Sequence, residues 1–149
     1  MVRLNSSAPA EGAEKLVEAE LSLLGLITGQ YPRNYPGIDL FAFTPERKDR
    51  RVDIQVKYRH ARDSGTVDLS EFLGDFLVVV RGNQGYRYRK SASEKDDGFG
   101  PRDVWILPMQ IARQLSTQSP NGRRWRIRCA DLPSEYLNRF DLIVEMLRD

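Results

Sequence analysis

The chain has 149 residues, with one cysteine, one histidine and a formal net charge of +2 at pH 7. Its length suits one domain with a core, and 40% apolar against 30% charged residues excludes a disordered chain. One cysteine excludes an internal disulfide and fits a reducing cytosol. With a single histidine, it also excludes a His/Cys zinc site within one chain. No apolar run approaches the roughly 18 residues of a membrane span, and the N-terminus lacks the apolar stretch of a signal peptide. We therefore expect a cytoplasmic protein that does not contact membranes.

The first part of the chain predicts a helix followed by three strands. Residues 1–9 precede any periodicity and are expected to be frayed, ahead of a single domain over residues 10–149. Apolar residues at spacings of three and four predict a helix from Ala10 to Leu24. Three strands are predicted next, at Leu26–Tyr31, Ile38–Phe43 and Val52–Tyr58. The charged connection Thr44–Arg51 is expected to join the last two strands into an antiparallel hairpin.

The rest of the chain predicts further strands and two helices. Residues 60–70 are polar and carry no predicted strand. Strands are predicted at Phe72–Arg81, at Val104–Leu107 and at Arg124–Cys129, the last an edge strand with outward arginines. Helices are predicted at Met109–Leu115 and, with an amphipathic pattern, at Pro133–Leu147. A turn at Gly82–Gly85 and loops at Ser91–Arg102 and Ser116–Gly122 separate these elements. The order predicts an α/β (α+β) domain with a mixed central sheet flanked by helices.

Polar residues interrupt the predicted hairpin where a core would favour apolar ones. Asp39 follows a Pro-Gly turn and lies between Ile38 and Leu40, and Gln55 and Lys57 alternate with apolar residues on the second strand. Because side chains alternate between the two faces of a strand, Gln55 and Lys57 share one face and can meet Asp39 at one end of the sheet. An exposed cross-strand ion pair between Asp39 and Lys57 explains the same pattern without any chemistry.

This combination meets the needs of metal-dependent phosphodiester hydrolysis. Mg²⁺, or Mn²⁺ in its place, prefers hard oxygen ligands, often one or two carboxylates with waters and substrate phosphate. Asp39 is the best candidate ligand, Gln55 offers a neutral amide oxygen, and the backbone carbonyl of Val56 is a further candidate. Lys57 would position the attacking water or neutralise developing charge.

Three short motifs follow one another at family-like spacing. Glu14, Val17, Leu21 and Gly25 fit a helix pattern Glu-x-x-(Val/Ala)-x-x-x-Leu-x-x-x-Gly. An aspartate-centred strand, Ile38-Asp39-Leu40, follows, and then a strand of the form apolar-(Glu/Gln)-apolar-Lys, Ile54-Gln55-Val56-Lys57. Over about residues 10–108, the chain resembles the PD-(D/E)XK nuclease superfamily, particularly its small bacterial and intron-associated endonuclease-like branch.

The resemblance implies a restriction-endonuclease-like core and a role for each matched residue. Asp39 would bind the metal, Gln55 would occupy a position that is more often acidic, and Lys57 would be the family lysine. Glu14 on the first helix would assist metal or water binding. Two residues separate the proline from Asp39 here, whereas the family name describes them as adjacent.

Basic residues are concentrated in separate parts of the chain, and local basic surface matters more than net charge for a phosphate backbone. Some of them alternate with tyrosines, a pattern that can stack on bases and contact phosphates. Ordinary solvated strand faces explain these groups equally well. The candidate nucleic-acid contacts are Arg59, Arg87, Arg89, Lys90, Arg124, Arg126 and Arg128.

Three functions remain open at this point. The leading one is a metal-dependent endonuclease that prefers DNA over RNA, with specificity supplied by a homodimer or a partner protein because the chain is too short for a separate recognition domain. The second is a catalytically weak or inactive nuclease-fold protein that serves as a nucleic-acid-binding or assembly subunit, which the neutral Gln55 favours. The third is an unrelated α/β protein, which a fold that kept Asp39 and Lys57 far apart would establish.

Overall fold

A five-stranded mixed sheet forms the centre of the protein, whose computed structural model describes residues 7–60, 65–82 and 102–149. In spatial order its strands are β1 (Ile27–Gln30), β2 (Leu40–Thr44), β3 (Arg47–His60), β5 (Phe76–Gly82) and β6 (Asp103–Pro108). The β3–β5 pair is parallel and the other pairs are antiparallel. A second sheet has the order β4 (Thr66–Leu69), β8 (Trp125–Arg128), β7 (Thr117–Gln118). The helices are α1 (Ala8–Leu23), α2 (Met109–Leu115) and α3 (Asp141–Arg148).

The central sheet buries an apolar cluster on each of its faces. Helices α1 and α3 cover one face, where Leu21 and Ile143 pack in a cluster with Ile54. Helix α2 and the second sheet cover the other face, where Leu77 of β5 and Ile127 of β8 belong to one buried cluster. The run 76–80 in β5 is wholly buried and apolar because it is covered on both sides. The predicted fold class, a mixed α/β domain with a central sheet flanked by helices, is confirmed.

Several predicted elements agree closely with the structure. Helix α2 has its predicted bounds, and α1 begins at Ala8, two residues before its predicted start. The β2–β3 pair is the predicted antiparallel hairpin, with Leu40 opposite Ile54. The predicted charged connection Thr44–Arg51 is shorter than expected, because β3 already begins at Arg47 after a turn at residues 45–46.

Predictions for the second sheet were wrong in four respects. Residues 66–69 form β4, which the polar composition of residues 60–70 did not indicate. The segment predicted as an edge strand at Arg124–Cys129 is instead the central strand β8, because β4 and β7 pair on its two sides. Cys129 follows it in a 3₁₀ turn, and β7 lies within the predicted loop Ser116–Gly122. These strands are short, so their alternation is weak, and β4 pairs with a strand that is distant in sequence.

The predicted helix Pro133–Leu147 is also wrong over its first half. A 3₁₀ turn at Ser134–Tyr136 precedes α3, and Asn138 between them has a left-handed φ of 56°. The Asn138 N–H donates to the carbonyl of Val104 at 2.6 Å, so tertiary contact with β6 interrupts the helical path.

Two further boundaries differ from the sequence prediction. Strand β5 begins at Phe76 rather than Phe72, because Gly74 turns the chain at φ +87°. A Cβ at Gly74 would lie 2.9 Å from the carbonyl oxygen of Asp53, so this close approach also requires glycine. The predicted turn after Gly82, the tyrosine–arginine segment 86–89 and the loop 91–101 lie outside the described residues. Within the described ranges, no helix is both long and apolar enough to cross a membrane.

Candidate active site

Asp39 lies where β2 separates from β3. Its backbone N–H donates to the carbonyl of Ile54 and its own carbonyl accepts from the N–H of Tyr31, both at 2.9 Å. The carboxylate Oδ2 accepts a hydrogen bond from the N–H of Val56 at 2.7 Å. Because the N–H and C=O of one strand residue point to the same edge, the Val56 carbonyl also faces this opening. Asp39 and the Val56 carbonyl are therefore placed together by backbone geometry.

Gln55 is a buried polar residue next to this opening. It is only 4% exposed and lies opposite Leu77 of β5, whose side chain belongs to the cluster beneath the second sheet. Its Oε1 is buried and has no hydrogen-bond partner among the described residues. Leaving such an oxygen without a donor costs about 1–3 kcal/mol. A cation bound at Oε1 would offset this cost.

Lys57 lies two residues further along β3, on the same face as Gln55 and opposite Val79. Burial lowers the pKa of Lys57, the neighbouring Arg59 and Arg124 lower it further, and Asp39 opposes them. Lys57 therefore lies within electrostatic range of two carboxylates, Asp39 and Asp68, and of the two arginines. Asp39 is close enough to act electrostatically on Lys57, so the two residues are not kept far apart.

Glu14 approaches the same opening from α1. An open cleft of about 380 Å³ has both Glu14 and Asp39 in its lining. Burial raises the pKa of Glu14, and the charges of Asp39 and Glu11 raise it further. Because the negative charge of Asp39 contributes to this shift of Glu14, a divalent cation near the two carboxylates would be stabilising.

The residues at this opening fit a magnesium-type ion. Asp39, the orphaned Oε1 of Gln55 and the Val56 carbonyl are all hard oxygen donors, with Glu14 within electrostatic reach. Within the described ranges, no group of three or more His, Cys, Asp or Glu residues could hold a metal. A cation here would therefore depend on amide and backbone oxygens beside Asp39.

The predicted basic contacts differ in what they touch. The Arg59 side chain is held in place by a hydrogen bond, since its Nε donates to the carbonyl of Thr66 at 2.6 Å. Arg124 is exposed and acts on Lys57, whereas Arg126 forms an ion pair with a carboxylate of β4 at 3.3 Å.

Arg128 is likewise occupied, since it pairs with Asp131 at 3.4 Å. Arg87, Arg89 and Lys90 lie outside the described residues. Of the predicted contacts that the structure describes, Arg59 and Arg124 are therefore the two that flank Lys57.

Two residues near the site, Tyr31 and Asp75, had no clear sequence signal, and both bind Asp53. Tyr31 lines the cleft, and its hydroxyl donates to Asp53 at 2.7 Å. Asp53 also lies 3.7 Å from Arg51, so this carboxylate serves a local ion pair. Asp75 accepts the N–H of Asp53 at 2.8 Å and ties β3 to the start of β5. These contacts depend on loops whose course the sequence pattern did not indicate.

Comparison with known proteins supports the fold. No family model matches the chain, and no curated protein matches it. Among solved structures, a bacterial homing endonuclease, I-Ssp6803I, is similar with a TM-score of 0.58 at 11% sequence identity. The similarity covers 98% of this chain and 96% of that one. The two chains therefore share a fold over nearly their whole lengths, while membership of the PD-(D/E)XK superfamily stays a prediction.

Proposed function

We propose that the protein is a divalent-metal-dependent endonuclease of the PD-(D/E)XK type, acting on DNA in preference to RNA. The observation that carries this proposal is the position of Asp39 at the open end of the β2–β3 pair, where its carboxylate accepts from the Val56 N–H and acts electrostatically on Lys57. Gln55 lies two residues before Lys57 on the same strand face. The fold shared with a homing endonuclease supports it at the level of architecture. The single cysteine favours a cytoplasmic location, and a homodimer or partner protein would supply specificity.

The residues at the site divide the work of hydrolysis. Mg²⁺ or Mn²⁺, held by Asp39, Gln55 Oε1 and the Val56 carbonyl, would supply Lewis-acid activation when bound. The Lys57 ammonium faces the phosphate and offsets negative charge that develops as a water oxygen bonds to phosphorus and the ester P–O bond breaks. Glu14, with its raised pKa, is suited to accept a proton from that water.

A second function is favoured by one observation, the neutrality of Gln55. A site with few carboxylates binds Mg²⁺ weakly, so the same fold would serve a catalytically inactive nucleic-acid-binding or assembly subunit. Titration calorimetry with Mn²⁺ on the wild type and on Asp39→Asn separates the two functions. Binding that disappears in the variant supports the nuclease, and the absence of any Asp39-dependent heat supports the binding subunit.

The alkaline limit of cleavage should lie below the ordinary lysine pKa of 10.5. Burial lowers the pKa of Lys57, so its ammonium loses a proton at a lower pH than an exposed lysine would, and the rate should fall there. Lys57→Arg keeps a charge at every accessible pH and should shift this limb upward even if the maximum rate is lower. Measurement of kcat/KM between about pH 7 and 11 locates the alkaline fall in activity. If the fall occurs at the same pH in Lys57→Arg, a group other than Lys57 causes it.

Arg124→Ala should weaken nucleic-acid binding more than Arg128→Ala. Both arginines are exposed on the second sheet or its turn, but the charge of Arg124 acts on Lys57 whereas Arg128 already pairs with Asp131. Loss of one phosphate contact should reduce the slope of log K against log salt by about 1. Binding measured at several salt concentrations, without metal, tests this. Equal slopes for both variants would remove Arg124 from the interface.

A further inference from the structure

Tyr35 presents an aromatic ring beside the candidate active site. It is 48% exposed, and its ring stacks on that of Tyr31 with centroids 4.7 Å apart and an interplanar angle of 19°. A ring left half in solvent contributes little to the stability of the core. About half of the ring is therefore open to a ligand from solvent.

Tyr31 gives this exposed ring a rigid support. The Tyr31 hydroxyl donates to Asp53 at 2.7 Å. The Tyr31 and Phe41 rings make a T-shaped contact with their centroids 5.4 Å apart. The guanidinium of Arg51 lies 5.5 Å from the centroid of the Tyr31 ring. Burial and the hydrogen bond to Asp53 raise the pKa of Tyr31 to about 12, so the hydroxyl remains a donor at neutral pH. The Tyr31 ring is therefore in contact with Tyr35, Phe41 and Arg51, while its hydroxyl is held by Asp53.

The stack is fixed to the candidate metal site by the backbone. The Tyr31 N–H donates to the Asp39 carbonyl at 2.9 Å, and the Tyr35 N–H donates to the Pro32 carbonyl at 2.8 Å. Tyr31 also lines the cleft that contains Glu14 and Asp39. A ligand group on Tyr35 would therefore be held at a constant position relative to a phosphate at Asp39.

We propose that Tyr35 is a stacking platform for an unpaired nucleobase next to the phosphate that is cut. This inference rests on the proposed nuclease function and adds a substrate class: a strand with at least one unpaired base at the cleavage point. Inside a duplex both faces of a base are covered by its neighbours, so a protein ring stacks on bases of single strands, flaps or flipped-out nucleotides. The planar geometry of the Tyr31–Tyr35 pair extends such a base stack into the protein.

Binding measured in chelator separates stacking from catalysis. The probes are a fluorescently labelled single-stranded oligonucleotide and a blunt duplex of the same length, with wild type, Tyr35→Phe and Tyr35→Leu. Phenylalanine keeps the ring and should retain affinity, whereas leucine should lose roughly tenfold for the single strand. Duplex affinity and the salt dependence should be unchanged, because no phosphate contact is removed.

Several results would overturn the platform. They are an unchanged single-strand affinity in Tyr35→Leu, an equal loss for both probes, or a change in sedimentation that reveals Tyr35 as a self-association contact. Failure of the nuclease proposal is a separate result. Wild type that cuts nothing but binds single strands in a Tyr35-dependent manner keeps the platform and rejects the nuclease, while cleavage with Tyr35-independent binding does the reverse.

Discussion

Replacement of Asp39 by asparagine should slow metal-dependent cleavage by about 10³-fold or more, because loss of a charged metal ligand removes several kcal/mol of transition-state stabilisation. Asparagine keeps an oxygen that can accept the Val56 N–H, so the hairpin end stays intact. The variant should therefore melt within a few degrees of the wild type, which calorimetry measures alongside single-turnover cleavage.

Asp49→Asn is the matched control for this substitution. Asp49 is an exposed aspartate on the same strand β3, paired only loosely with Arg47 at 3.9 Å. Its substitution should leave both rate and stability unchanged, since exposed ion pairs of this kind contribute little. Full activity in Asp39→Asn, or an equal loss in both variants, would contradict the assignment of Asp39 as a metal ligand.

Replacement of Gln55 by methionine should stabilise the protein and abolish cleavage. The orphaned Oε1 is removed and a side chain of similar volume fills the buried space, so we expect a gain of about 1–2 kcal/mol in the free energy of unfolding without metal. The same change removes a ligand oxygen. Denaturant unfolding and cleavage assays on one preparation measure the two effects.

Gln55→Glu should have the opposite effect on stability, because it adds a charge where methionine removes a polar group. A buried carboxylate beside Asp39 should destabilise the metal-free protein, and added Mn²⁺ should restore more stability than it does in the wild type. A methionine variant that unfolds more easily and still cuts would show that Gln55 is a packing residue. Insensitivity of the glutamate variant to Mn²⁺ would place the metal elsewhere.

The position of Asp39 beside the strand that carries Gln55 and Lys57 could be predicted because it is local. The two strands form one hairpin closed by a short turn, so their alternation alone brings these residues to one end of the sheet. Glu14 was predicted through the resemblance of the first helix to the PD-(D/E)XK helix pattern. The roles of these residues are predictions that the substitutions above test.

What sequence reasoning missed depends on contacts between distant segments. The charge of Arg124 acts on Lys57, whose strand is distant in sequence, and the pairing of β8 with β4 has no local signature. Strand β4 itself was missed because only Val67 and Leu69 are buried within it. The Tyr31–Tyr35 stack is local but was missed for a different reason, since it depends on the course of the turn before Asp39.

The most direct test of the proposed function is cleavage by the purified wild-type protein of a mixed panel: supercoiled plasmid, linear single-stranded DNA and RNA. Each substrate is incubated with Mg²⁺, with Mn²⁺ and with chelator, beside Lys57→Ala. We expect the wild type to cleave DNA only when metal is present, and we expect no cleavage in chelator or by Lys57→Ala. Cleavage that persists in chelator or in Lys57→Ala would contradict this expectation, as would intact substrates throughout the panel despite Asp39-dependent binding of Mn²⁺.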